Sequence, residues 1–259
     1  MTAVITLLTD FGLQDVYVGV LKGTIATINP SLQVIDLTHQ IPPQNILAGR
    51  FALMNAYPYF PKGTVHLAVV DPGVGSQRQG IAIQLKEGYL VGPNNGLFSG
   101  VLDQYDVIAA AHLTHSQYWR TATPSSTFHG RDIFASVAAH LACGVSLQDL
   151  GESINLTDLV RLSPPNYKKL STTIQGSIQY IDIFGNLITN IPASAITSDQ
   201  WTVIIKDQVI PQGKTYSDVL PGEVIAFIGS HYWLEISVMG GNAQTQFQVS
   251  LGDPVQLNY

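Results

Sequence analysis

Val65-His-Leu-Ala-Val-Val-Asp-Pro-Gly-Val-Gly-Ser-Gln-Arg78 carries a largely apolar run into a carboxylate, then through a Pro/Gly turn to a guanidinium. Val65 to Val70 reads as a strand buried on both faces, the kind found inside a parallel sheet. In open α/β sheets the loops at the carboxyl ends of the strands collect chemistry, and Asp71 stands at such an end. Taken alone, Asp71 and Arg78 have two readings: parts of a site, or a turn former followed by a solvated loop charge.

Working outward, Val4-Ile-Thr-Leu-Leu8 is a second apolar run, and it ends in Thr9-Asp10-Phe11-Gly12. Asp15 stands where a helix cap belongs, ahead of apolar positions Val16, Val20, Leu21, Ile25 and Ile28, and Asn29-Pro30 stops that helix. Leu32 to Leu37 reads as a strand, and Asn45 to Tyr57 as a helix ended by Pro58. This alternation predicts a parallel sheet with Val65 to Val70 inside it. Further on, Ile81 to Leu85 and Tyr89 to Val91 read as paired strands, Gly92-Pro-Asn-Asn-Gly96 as a turn and Asp106 to Ala111 as a strand. Thr127-Phe-His-Gly-Arg-Asp132 leads into a helix from Ile133 to Cys143, with Gly144 as its C-cap. His129 is therefore expected at a helix entrance, where the dipole lowers a histidine pKa and favours anions.

Around Arg161-Leu-Ser-Pro-Pro165 the helical alternation ends. Short runs follow at Thr172 to Asp182, Leu187 to Ile191, Thr202 to Ile205, Val224 to Ile228, Trp233 to Val238 and Thr245 to Val249, all read as strands. The expectation is an α/β fold: an N-terminal parallel-sheet α/β domain over residues 1–165, followed by a C-terminal all-β barrel-like domain over 166–259. Two segments of the second domain are chemically dense: Asp182-Ile-Phe-Gly-Asn186, and Gly229-Ser-His-Tyr-Trp-Leu-Glu235 continuing to Gly240-Gly-Asn-Ala243.

Composition narrows the function. Charged residues are only 12% of 259, which fits a compact chain that buries much surface. A net charge of −6 with scattered Lys and Arg argues against nucleic acid as partner. The single cysteine, Cys143, ends an apolar run and is expected as a buried thiol. A strand-like start without a basic leader, and no run of membrane-spanning length, predict a soluble cytoplasmic protein without a membrane partner. Glycine-rich dinucleotide and P-loop motifs are missing, as are a nucleophile elbow and a cysteine zinc pattern. Asp10, Asp36, Asp71 and His129 as ligands of a divalent metal form the rival enzyme reading. Against it, Arg78 competes for the Asp71 carboxylate and the histidines lack paired i,i+4 spacing.

Leu7-Leu-Thr-Asp-Phe-Gly12, Val70-Asp-Pro-Gly-Val-Gly75 with Arg78, Gly92-Pro-Asn-Asn-Gly96, Phe128-His-Gly-Arg-Asp132, Ile181-Asp-Ile-Phe-Gly-Asn186 and Gly252-Asp-Pro254 together resemble one family. It is that of the S-adenosylmethionine hydroxide adenosyltransferases, adenosine-forming S-adenosylmethionine hydrolases related to the fluorinating and chlorinating enzymes that attack the same carbon with halide. The resemblance implies an α/β domain followed by a β-barrel, and a homotrimer with active sites between subunits. It also implies S-adenosylmethionine as substrate, with neither a metal nor a cofactor.

By the same resemblance Asp71, Arg78 and His129 surround the attacking water, and the halogenating relatives lack the acid at Asp71. Asp10 accepts from the ribose hydroxyls, Phe128 and Gly130 border the sugar and nucleophile pocket, and Asn95 is a further contact with a competing role as a turn residue. In the barrel, Asp182 and Asn186 hold the methionine ammonium, with Phe184 packing beside them. Ser230 and His231 meet the methionine carboxylate, although the halogenating relatives have Arg at the second position. Tyr216 stacks on adenine, and Asn242 and Ala243 meet its edge. Tyr216 and Phe184 read equally well as barrel core. A non-catalytic module binding S-adenosylmethionine or adenosine, and a halide-using adenosyltransferase, are the alternative functions.

Overall fold

A computed structural model describes residues 3–162 and 166–259. The chain divides into two compact units, Met1–Leu162 and Ser163–Tyr259. The junction expected at Ser163 to Pro165 lies outside the described residues.

The first unit runs β1 (Val4–Thr9), α1 (Tyr17–Ile28), β2 (Gln33–Thr38), α2 (Ile46–Ala56), β3 (Thr64–Val69), β4 (Gly80–Leu85), β5 (Gly88–Pro93), α3 (Ser99–Leu102), β6 (Val107–His112), α4 (Ala135–Ala142) and β7 (Glu152–Ser153). Its sheet has the order β2-β1-β3-β5-β4-β6-β7. The expected parallel core is present, since β2, β1, β3 and β5 pair in parallel. The expectation of a parallel-sheet domain holds for these four strands only: β4, β6 and β7 are joined by antiparallel pairing, so the sheet is mixed. The link from Leu85 to Gly88 is too short for a crossover and permits only a hairpin.

All six residues of β3 are buried, as a strand covered on both faces requires. Leu21 and Ile25 of α1 and Val137, Ala138 and Leu141 of α4 pack on Ile5, Leu7, Val65 and Leu67. Each large aliphatic side chain buried in this way contributes roughly 1.5–3 kcal/mol. Two local expectations are corrected. Val16, not Asp15, precedes α1, and no side chain caps that helix. Cys143 is exposed, because it follows the buried Leu141 by two positions and so rotates off the packed face of α4. Asn45 caps α2 by accepting from the Ala48 N–H at 3.0 Å.

The second unit contains β8 (Lys168–Lys169), β9 (Thr173–Ile181), β10 (Leu187–Pro192), β11 (Thr202–Ile205), β12 (Gln208–Pro211), β13 (Val224–Ile228), β14 (Trp233–Val238), α5 (Ala243–Phe247) and β15 (Pro254–Asn258). Its strands follow the order β12-β11-β15-β9-β10-β14-β13, with β8 beside β9. Every named pair is antiparallel. An isolated bridge from Gln212 to Ala226 links the two ends, so the sheet is a nearly closed barrel around Ile174, Leu187, Ile191, Val203, Ile236 and Leu257. The strand expected from Thr245 to Val249 is instead the short helix α5, started when the Asn242 side chain accepts from the Thr245 N–H at 2.8 Å. Among the described residues no helix is long and apolar enough to cross a membrane.

Candidate active site

β3 delivers Asp71 to the carboxyl edge of the sheet, and Asn95 braces that end. The Asn95 amide donates to the Val70 carbonyl at 2.8 Å, and its oxygen accepts from the Leu97 N–H at 3.2 Å. The chain then turns through Gly73 and Gly75 and re-enters the sheet as β4, which returns Arg78 to Asp71. Gly75 has φ +79°, and a Cβ there would press on the Ser126 carbonyl at 2.5 Å, so only glycine lets these two loops approach.

Arg78 Nε lies 3.0 Å from both oxygens of Asp71, and Nη2 lies 2.5 Å from Oδ2. The same Nη2 donates to His129 Nδ1 at 2.8 Å. Guanidinium has no acceptor, so Nδ1 must present its lone pair, and the His129 ring is neutral with its proton on Nε2. Burial, followed by the positive charge of Arg78, lowers the His129 pKa from its ordinary value, against smaller opposing effects of Asp71 and Asp132. The guanidinium also lies 5.3 Å above the centre of the Phe134 ring. Phe134 closes a π-helical turn, Gly130–Phe134, that follows His129 and runs into α4. His129 thus stands at a helix entrance as expected, on a turn type common at functional sites.

Asp71 and His129 line a cavity of about 490 Å³ together with Asp10, Phe128 and Gly130. Arg78 bonds both from outside the lining. Five of the expected residues of this unit therefore share one cavity and a sixth bridges two of them, whereas Asn95 is spent on the strand end. Sequence reasoning assigned no role to the other wall residues, among them Phe11, Tyr17 and Gln44. Phe11, Tyr17 and Phe128 meet edge to face, with ring centres 5.3 to 6.0 Å apart. Phe11 adjoins Asp10 in the quoted motif, which was the available signal; Tyr17 and Gln44 stand in no motif. The Gln44 N–H donates to Asp10 Oδ2 at 2.8 Å from a left-handed residue of φ 65°.

The rival metal cluster does not assemble. Asp36 pairs instead with Lys22 at 2.6 Å and lies 3.2 Å from His39 Nε2. Among the described residues no group of three or more His, Cys, Asp or Glu side chains is placed to hold a metal ion.

In the second unit, Asp182 organises its own loop. Its Oδ1 accepts from the N–H groups of Phe184 and Asn186, both at 2.9 Å, and its Oδ2 from the Asn186 amide at 2.8 Å. Phe184 is 71% exposed, which removes the reading of it as core. Gly185, with φ +80°, leaves room for the Asn242 side chain. Ala243 is buried and Ser230 exposed. The Tyr216 ring sits edge-on to Phe227 at 4.8 Å, with one side open.

Glu235, which ends the dense segment from Gly229 but was assigned no role from sequence, joins two of the expected residues. Its Oε1 accepts from the Tyr216 hydroxyl and from Ser237 Oγ, each at 2.9 Å, and its Oε2 faces His231 Nε2 at 3.1 Å. Burial pushes the Glu235 carboxyl up, but the bonds from His231, Ser237 and Tyr216 outweigh it and hold the pKa below its ordinary value. Burial, then the bond to Glu235, raises that of Tyr216. The available signal was one acid within the apolar strand Trp233–Val238.

Residues 5–151 match the model of the SAM hydroxide adenosyltransferase N-terminal domain, and residues 176–256 that of the C-terminal domain. The chain is 37% identical to a protein of Salinispora tropica named (R)-S-adenosyl-L-methionine hydrolase, over 98% of this chain and 97% of the other. A protein of the same name from Thermus thermophilus is also 37% identical, over 96% and 97% of the two chains. A fluorinase from an Actinoplanes species is 28% identical over 73% of this chain and 71% of its own. The crystal structure of an uncharacterised conserved protein from Thermotoga maritima superposes with a TM-score of 0.92 at 35% identity, covering 98% of this chain and all of the other.

Proposed function

The chain belongs to the SAM hydroxide adenosyltransferase family, and from that premise we propose that it hydrolyses S-adenosylmethionine to adenosine and methionine by in-line attack of water on the ribose C5′. The observation that carries this reading is the Asp71–Arg78–His129 network on a cavity that Asp10 and Phe128 also line.

The chemistry asks little of an acid catalyst. The leaving group is the neutral thioether of methionine, so no proton need be supplied to it. One C–O bond forms as the C5′–S bond breaks, the sulfonium takes up the bonding pair, and water loses one proton to the site and then to solvent. The site must hold a poorly hydrated oxygen nucleophile in line with C5′ and accept that proton. Asp71 Oδ1 accepts a single bond, from Arg78 Nε, and keeps acceptor capacity for a water. In this reading Asp71 takes the bond or proton from water, Arg78 fixes Asp71 and His129 together, and His129 completes the water's surroundings. Asp10 takes the ribose hydroxyls, and Phe128 and Gly130 the sugar. Asp182, Asn186 and Ser230 take the methionine end, and Tyr216, Asn242 and Ala243 the adenine. No metal or cofactor enters the reaction as written.

Incubation in ¹⁸O-water tests the reaction: one label at the adenosine 5′ oxygen with release of methionine is expected, and unlabelled or absent adenosine rejects it. Chloride and fluoride run in parallel are expected to give no halonucleoside. Activity is expected to survive exhaustive chelation. A non-catalytic binding module would bind S-adenosylmethionine and return it unchanged. The homotrimer and cytoplasmic residence belong to the same proposal, and light scattering checks the first.

A further inference from the structure

Glu235 is 4% exposed, yet it is engaged by three side chains, two of which, Tyr216 and His231, the family resemblance places at the substrate. A buried carboxylate is costly unless bonded, and its four acceptor sites suit three donors converging on it. His231 is fixed on both sides. Its Nδ1 accepts from the Trp233 N–H at 3.1 Å, so Nε2 carries the ring proton and donates it to Glu235. With Nδ1 turned to the backbone and Nε2 to Glu235, the ring directs neither nitrogen at a ligand. Space around this carboxylate is tight: a Cβ on Gly229 would meet Glu235 Oε2 at 2.5 Å and His231 Cε1 at 2.5 Å.

We propose that Glu235 is the positioning residue of the barrel half of the substrate site: it sets the Tyr216 ring for stacking on adenine and locks His231 as a neutral Nε2–H ring that shapes the methionine end without contributing charge. This rests on the hydrolase reading above. Recognition of the substrate carboxylate then falls to Ser230 and backbone N–H groups instead of a cation.

The variants are Glu235→Gln, Tyr216→Phe and the double variant, assayed as full-length protein with S-adenosylmethionine. Glu235→Gln is expected to raise KM about tenfold and to change kcat less than about twofold, because it leaves the reacting carbon's surroundings untouched. Tyr216→Phe removes only the anchoring hydroxyl and is expected to raise KM about threefold. The double variant is expected to be no worse than Glu235→Gln alone, since the two changes break the same bond. ¹⁵N NMR of wild-type His231 is expected to show an unprotonated Nδ1 and a protonated Nε2, a pattern lost in Glu235→Gln. A role confined to barrel stability would lower Tm and leave the KM of the folded fraction unchanged. If Glu235→Gln does not fold, Tyr216→Phe and the wild-type tautomer decide. An active wild type with unchanged KM in these variants, or a cationic His231 ring, overturns this proposal alone; an inactive wild type overturns the hydrolase reading and this proposal with it.

Discussion

Arg78 Nε sits 3.0 Å from each oxygen of Asp71, with the two side chains only 10% and 5% exposed. A pair this sheltered is screened little by solvent, and neither charge can be removed without stranding the other. Asp71→Asn keeps the shape and removes the proton acceptor. Adenosine formation is expected to fall by about 100-fold or more, while calorimetry is expected to find S-adenosylmethionine bound within a few-fold of wild type. Full turnover in this variant would remove Asp71 from the chemistry.

Arg78→Lys keeps the charge and loses the fork. One ammonium cannot reproduce the contacts to both Asp71 oxygens while donating to His129 Nδ1. The expected result is a fall in kcat of about 10- to 100-fold, with KM moving far less, read from steady-state kinetics on folded protein. A wild-type kcat would show that charge alone suffices.

His129 sets an acid limit. Its pKa lies below the ordinary 6.5 through burial and the neighbouring Arg78, so the ring is neutral at pH 7 and protonates only on acidification. A protonated ring cannot accept from Arg78 and would face two positive groups, that guanidinium and the substrate sulfonium. The rate is expected to be level above pH 6.5 and to fall below it, with the inflection tracking the His129 NMR titration. A profile that rises on acidification would reverse the assignment.

His66 controls stability rather than activity. It is 2% exposed, meets Thr6 Oγ1 at 2.8 Å and lies against Tyr57 and Phe60. Burial pushes its pKa down to about 4. As pH drops below 6.5 the unfolded chain takes up a proton that the fold refuses until about pH 4. Stability is therefore full above 6.5 and falls by ~1.4 kcal/mol per pH unit, about 3 kcal/mol in all, between those limits. Urea unfolding across this range checks it. His66→Gln is expected to lose most of that slope, and an unchanged slope would place the acid sensitivity elsewhere.

Asn95→Ala leaves the Val70 carbonyl without its side-chain donor and is expected to cost about 1–3 kcal/mol of stability. Substrate affinity of the folded protein is expected to stay close to wild type; a large loss of affinity would return Asn95 to the binding site.

Much of the first unit was legible because its strands are apolar runs and its helices repeat every three to four residues. The mixed sheet was half visible in the short Lys86-Glu-Gly88 link. Legibility fell where a few polar contacts outweigh pattern. Thr245-Gln-Phe-Gln-Val249 alternates like a strand, but the Asn242 cap turns it into a helix that ends at left-handed Gln248. β12 and β15 are edged by Pro and polar residues, and their apolar signal is only two or three residues deep. The Asp71, Arg78 and His129 constellation was quotable from motifs, yet its geometry was not, since His129 reaches Arg78 across 51 positions. Glu235 closes a segment that was quotable as chemically dense, yet its role was not legible, because its donors Tyr216, His231 and Ser237 are brought to it by the fold.

The reversal of β4 has one more consequence. It confines the acid and its guanidinium to a single handle whose two feet, β3 and β4, are set in buried sheet. With both feet held by pairing to β5, the separation of the acid and its guanidinium is fixed by the sheet and not by a free loop.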